Sequence, residues 1–151
     1  MQKKSLTKRI LTIALVLVLL FGIYIGWQIY KSSQTEVVSV NDIVTINMSQ
    51  DNSLSLDTEI SGDVQLGRFE AMSHPSIETY EGTLYIILHK QPALMSQPDF
   101  SFSLNGVSDL DTVEEIRIVS GDIYTGEGDE TGYSLIDLQD APEQKMIWKQ
   151  P

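Results

Sequence analysis

"GTLYIILHK", Gly82 to Lys90, is the stretch on which the fold turns. Leu84, Tyr85, Ile86, Ile87 and Leu88 follow one another without a polar residue, and they are rich in β-formers. Successive side chains of a strand point to opposite faces. An unbroken apolar run therefore needs cover on both faces, and it is too short to suggest a buried helix instead. Turn-forming residues bound it, "YEG" before and "KQP" after.

Outward from this run the pattern keeps a period of two. "VVSVNDIVTINMS" sets Val44, Ile46 and Met48 on one face, and "SLSLDTEI" alternates Leu54, Leu56, Thr58 and Ile60. "DVQLGRFEA" offers Val64, Leu66 and Phe69, broken by Gly67. "DFSFSLNG" turns Phe100, Phe102 and Leu104 inward and Ser101 and Ser103 outward. "VEEIRIVSG" sets Ile116 and Ile118 against Glu115 and Arg117, and "KMIWK" turns in Ile147 or its neighbours Met146 and Trp148. "LIDLQDAPEQ" has room for one helical turn. Turn signals recur at about the 8–12 residue spacing of sandwiches and barrels. The expectation is an all-β domain over 37–151 with about seven strands, a sandwich or a small barrel. The paired cysteines of a true immunoglobulin domain are absent.

A different element precedes it. "KRILTIALVLVLLFGIYIGWQIYK", Lys8 to Lys31, encloses 21 residues, Ile10 to Tyr30, with no charged side chain. At about 1.5 Å per residue they span a hydrocarbon core of roughly 30 Å, where a helix satisfies its own backbone. Lys3, Lys4, Lys8 and Arg9 precede the segment, while Lys31 and then a long acidic region follow it. That asymmetry predicts residues 1–9 as a cytoplasmic stub, 10–30 as a transmembrane signal anchor, 31–36 as a tether and the β domain outside the cell membrane. A signal peptide would carry a small-x-small cleavage site, and "KSS" is a poor one. Tyr24, Trp27 and Tyr30, spaced by three, suit a headgroup interface. Gly22 and Gly26 lie one turn apart and form the candidate face for a homodimer, although glycine is common in membrane helices in any case.

All 21 Asp and Glu follow Lys31, against Arg68, Lys90, Arg117, Lys145 and Lys149, so residues 32–151 carry 5 − 21 = −16. Such a field repels phosphate backbones and excludes nucleic acid as a partner. There is no cysteine, hence no disulfide, thiol catalysis or lipid-modified cysteine. Cysteine-free construction outside the membrane fits a Gram-positive bacterial exterior.

Motifs of chemistry are scarce. Nucleophile-elbow, zinc-helix and phosphate-loop patterns are missing, so no catalytic residue and no cofactor is expected. His74 reads as a turn residue and His89 as an exposed strand end; a strongly perturbed His89 in a cleft beside a serine would point to a hydrolase instead. "GDIYTGEGDETG" gathers Asp122, Glu127, Asp129 and Glu130, weak candidates for a hard cation on what reads more simply as a solvated hairpin loop. "HKQPALMSQPD" holds Leu94 and Met95 between prolines, and packing into the core is the favoured reading over contact with a partner.

"SHPSIETYEGTLYIILHK", "FSFSLNG", "VEEIRIVSGD" and a terminal "MIWK" together resemble small single-anchor or lipoprotein β-rich ectodomains of Gram-positive bacteria over about 74–148. The resemblance implies a β domain held at the membrane and brings no catalytic or binding residue with it. The resulting expectation is a binding or accessory module of an envelope complex, whose partners are the bilayer and a membrane or envelope protein. A surface hydrolase and a cation-binding surface protein are the alternatives.

Overall fold

The computed structural model describes residues 3–49, 53–121 and 138–151. The chain forms α1 (Lys3–Ser33) and, among the described residues, ten strands. They are β1 (Glu36–Val37), β2 (Ile43–Met48), β3 (Glu59–Val64), β4 (Glu70–Met72), β5 (Ser76–Tyr80), β6 (Thr83–Ile87), β7 (His89–Pro92), β8 (Asp99–Ser103), β9 (Glu115–Ser120) and β10 (Glu143–Lys149). Two compact units result, Met1–Gln34 and Thr35–Pro151.

In the first unit, the most apolar 18 residues within Lys8–Lys31 have a mean hydropathy of 2.6, and none of that window is buried within the protein. The helix is long and apolar enough to cross a membrane.

The second unit is built of three sheets. Their strand orders are β10-β9-β6-β5, β2-β3-β8 and β1-β7-β4. All pairs are antiparallel except β6 with β9. Thr83 to Leu88 are all buried, as the apolar run requires. Leu84, Ile86 and Leu88 join Ile116, Ile118 and Trp148 in one cluster, together with Ile60, Val64, Phe100 and Leu104 from β3, β8 and the turn after it. Tyr85 and Ile87 join Val119, Leu138 and Ala141 in a second cluster, with Val37 and Tyr80 packed against it. β6 is thus covered on both faces by different parts of the chain. Of the helical turn expected in "LIDLQDAPEQ", the described part starts at Leu138, whose carbonyl accepts from Ala141 N–H at 3.5 Å.

Ten strands replace the expected seven or so because the chain breaks more often than its hydrophobic period shows. β4 and β7 are short separate strands beyond Gly67 and Leu88, and β1 has two residues. β5 was concealed by its half-polar sequence, "SIETY". It pairs with β6 through a two-residue turn, Glu81 (φ 47°) and Gly82 (φ 77°), the positive-φ pair that a primed hairpin turn requires. "SLSLDTEI" becomes a strand only from Glu59; Leu56 is exposed.

Two register shifts alter which side chains face inward. Between Ile43 and Thr45 the β2–β3 register slips, so Ile43, Ile46 and Met48 reach the core and Val44 is 66% exposed. A bulge adds one residue and reverses the alternation beyond it. A second shift, between Met146 and Trp148, buries Trp148, half-buries Ile147 and leaves Met146 outside.

Gly62 sits where strands of one sheet crowd. A Cβ there would stand 2.0 Å from the Thr45 carbonyl oxygen and 2.9 Å from the Phe100 ring. At Gly106 a Cβ meets nothing within 4 Å. Gly62→Ala is expected to lower unfolding stability by about 1–3 kcal/mol, the usual range for overpacking. Gly106→Ala should stay within about 0.5 kcal/mol of wild type. Denaturant unfolding of both variants checks this; equal effects would refute the packing argument.

Candidate functional site

β7 begins at His89 directly after the buried Leu88. Alternation gives the two side chains opposite faces. Ser76, at the start of β5, lies opposite Ile87. Ile87 belongs to the second cluster. Ser76 Oγ and His89 Nε2 are 2.9 Å apart. His89 is half-buried, and this burial holds its pKa below the ordinary 6.5, since a charged imidazolium would lose hydration. The pair was missed in the sequence because β5 was. The available signal was "SIETYEGTLYI" read as one hairpin, which places Ser76 beside the strand that leads into His89.

A hydroxyl beside a neutral imidazole is the beginning of nucleophile activation. A substrate must also reach it. The cavity next to this region, about 250 Å³, is lined by Met72, His74, Pro75, Leu88, Phe100 and Phe102 among others. Neither Ser76 nor His89 is among its lining residues. Pro75 and Leu88, the chain neighbours of Ser76 and His89, do line it, as does Gln91, two residues after His89 in β7. The serine and the histidine therefore adjoin the cavity without lining it.

Two further polar networks tie strands together. The Glu143 carboxylate accepts from Ser39 Oγ at 2.7 Å, from Asn41 Nδ2 at 3.0 Å and from the buried Ser120 hydroxyl. Hydrogen bonds from Ser120 and Ser39 hold its pKa below the usual carboxylate range. Ser120 Oγ also accepts from Val40 N–H at 2.8 Å. The chain after β1 is thereby fastened to β9 and β10. In the third sheet, Lys90 on the central β7 meets Glu70 at 2.8 Å and Glu36 at 3.5 Å. The bond from Lys90, followed by one from Gly67 N–H at 2.6 Å, lowers the Glu70 pKa, and Glu70 in turn raises that of Lys90.

The remaining sequence-based candidates are scattered. Tyr24, Trp27 and Tyr30 lie along α1, with the Trp27 and Tyr30 rings 5.7 Å apart and Gln28 Nε2 donating to Tyr24 Oη at 3.0 Å. At Gly22 and Gly26 an added Cβ meets nothing within 4 Å. Asp122, Glu127, Asp129 and Glu130 lie outside the described residues. Among the described residues no three His, Cys, Asp or Glu come together as a metal site. Leu94 and Met95 correct an expectation: instead of entering the core they are 79% and 73% exposed. The hydrogen bonds from Ala93 N to Phe69 O and from Gln97 N to Glu70 O close the loop against β4 and leave its tip outside.

No protein-family model matches the chain, no curated protein matches it, and no solved structure matches it.

The burial of His89 has a measurable consequence. With its folded pKa depressed, the folded state binds its proton later than the unfolded chain as pH falls. The stability associated with neutral His89 is full above pH 6.5 and is lost as pH falls through the lower folded value. Unfolding measured from pH 7.5 to 5.5 should show stability falling in wild type and a flatter profile in His89→Gln. Parallel profiles would remove His89 as the source. Ser76→Ala should cost about 1 kcal/mol at neutral pH, the usual value of one hydrogen bond.

Proposed function

We propose that the protein is a single-pass membrane protein whose α1 stays as an anchor, with its N-terminus in the cytoplasm and its acidic β domain outside. The observation that carries this reading is the apolar helix itself, with none of Lys8–Lys31 buried within the protein. Each fully exposed Leu, Ile or Val forgoes about 1.5–3 kcal/mol of burial, which a bilayer restores. The four cations before the span and the −16 charge after it support the orientation. Tyr24, Trp27 and Tyr30 then occupy the outer interface. The shared cluster of β6 and β9 with β3 and β8 supports reading the β10-β9-β6-β5 and β2-β3-β8 sheets as a sandwich.

The work of the domain is binding, as a non-catalytic accessory module of an envelope complex. Its networks join strand to strand, and neither Ser76 nor His89 lines the adjoining cavity. The second reading, a surface hydrolase, is favoured by that pair alone. Cation binding at the 121–132 loop is the third.

Topology and partnership are tested together in native membranes. Alkaline washing should leave the full-length chain in the membrane, and external protease should remove the β domain from intact cells. Release of a shortened soluble domain would overturn the anchor. Cross-linking should retain a specific envelope protein on wild type, and recovery of the chain alone would oppose the accessory role. Gly22→Ile with Gly26→Ile makes no intrahelical clash, so loss of a self-cross-link in this variant assigns a homodimer to that face, and persistence excludes it. Hydrolysis of ester or peptide probes that disappears in Ser76→Ala would replace the binding reading with the hydrolase.

A further inference from the structure

The small sheet β1-β7-β4 has a distinct end. Its register pairs Glu36 with Lys90 and Glu70 with Pro92, both antiparallel. The first residue of β4 therefore lies beside Pro92, the last residue of β7, and β1, which starts beside Lys90 two residues earlier, is entered from that same direction. At this same end the chain comes into the domain, with only Gln34 and Thr35 between α1 and β1. Two loop tips extend beyond it. One carries Leu94 and Met95, 79% and 73% exposed, and the other carries Phe69, 62% exposed. Ala93 N–H donates to the Phe69 carbonyl at 2.8 Å, so the two tips are side by side. The Arg68 guanidinium lies 5.5 Å from the centre of the Phe69 ring.

The charge here differs from that of the rest of the domain. Glu36 and Glu70 both pair with Lys90, and Arg68 adds a cation, so these four groups sum to zero where residues 32–151 sum to −16. Phenylalanine, leucine and methionine at the tips, with arginine beside them, match the boundary between acyl chains and anionic headgroups. Reach agrees with this. Five residues, 31–35, separate the end of the apolar span from Glu36, and even fully extended they cover at most about 18 Å.

We propose that the Arg68–Phe69 and Leu94–Met95 tips form a surface that seats the β domain on the outer face of the bilayer which α1 crosses. The proposal rests on the reading of α1 as an anchor and commits to lipid as the occupant. Seating at two tips and a short tether would fix the orientation of the domain above the membrane and direct its acidic faces outward.

The chain has no cysteine, so single cysteines report single sites. Met95→Cys, Leu17→Cys in the span and Asn105→Cys in the exposed turn after β8 would each carry a polarity-sensitive fluorophore. Full-length protein is reconstituted into phosphatidylcholine–phosphatidylglycerol vesicles, with a nitroxide on either the lipid or an aqueous quencher. At Met95 the expected result is blue-shifted emission and lipid-nitroxide quenching about threefold stronger than at Asn105, as apolar residues seated about 5–10 Å into the headgroup boundary would give. If Met95 behaves like Asn105 while Leu17 is quenched by lipid, the seating surface is overturned and the anchor stands. If Leu17 also escapes the lipid quencher, the anchor reading falls with it. Shielding of Met95 that appears only at high protein-to-lipid ratio, without lipid quenching, would assign the tips to a second copy and overturn the proposal.

Discussion

Burial of β6 on both faces is the constraint from which the rest of the domain follows. Leu84, Ile86 and Leu88 cannot be covered by the same layer as Tyr85 and Ile87. The chain must supply two layers, and it does so from distant segments. β3 and β8 contribute to one face, and the segment around Leu138 and Ala141 to the other. The parallel partner β9 is reached only after the chain has passed through β7 and β8. Without cysteine to cross-link it, the domain depends on this packing.

The β character was legible because burial and period coincide in the long strands. Phe100, Phe102 and Leu104 face inward and Ser101 outward, as alternation requires. The failures occur where one residue changes the count. The bulge at Ile43–Thr45 expelled Val44 from a face that the spacing assigned to it. No rule of alternation could locate that shift, since it lies in the pairing of β2 with β3 and not within either strand alone. β5 was lost because Ser76, Glu78 and Thr79 dilute its apolar signal, although the Glu81–Gly82 turn marked its end. The Ser76–His89 pair depends on the same hairpin, since the pairing of β5 with β6 brings Ser76 beside the strand that leads into His89.

Polar interactions in this domain determine where strands stop and how edges attach. Ser120 has no exposure, yet its hydroxyl serves both Val40 N–H and Glu143. Lys90 holds both edges of a three-stranded sheet through carboxylates on either side, a modest stabilisation at this exposure. The exposed apolar side chains at Leu94 and Met95 are the opposite case. Nothing in the core requires them, and their position beside the start of β4 gives the domain a polarity that composition alone does not reveal.

The two-faced burial of β6 is tested most directly by native-state hydrogen exchange on the full chain in lipid nanodiscs. Amides of residues 84–87 should be among the slowest in the domain and should exchange only through global unfolding, so that their opening free energy follows denaturant with the full unfolding slope. Amides of β1 and β4, at the edges of the small sheet, should open locally at lower free energy. Exchange at 84–87 as fast as at β4, or insensitive to denaturant, would contradict the central place given to this strand.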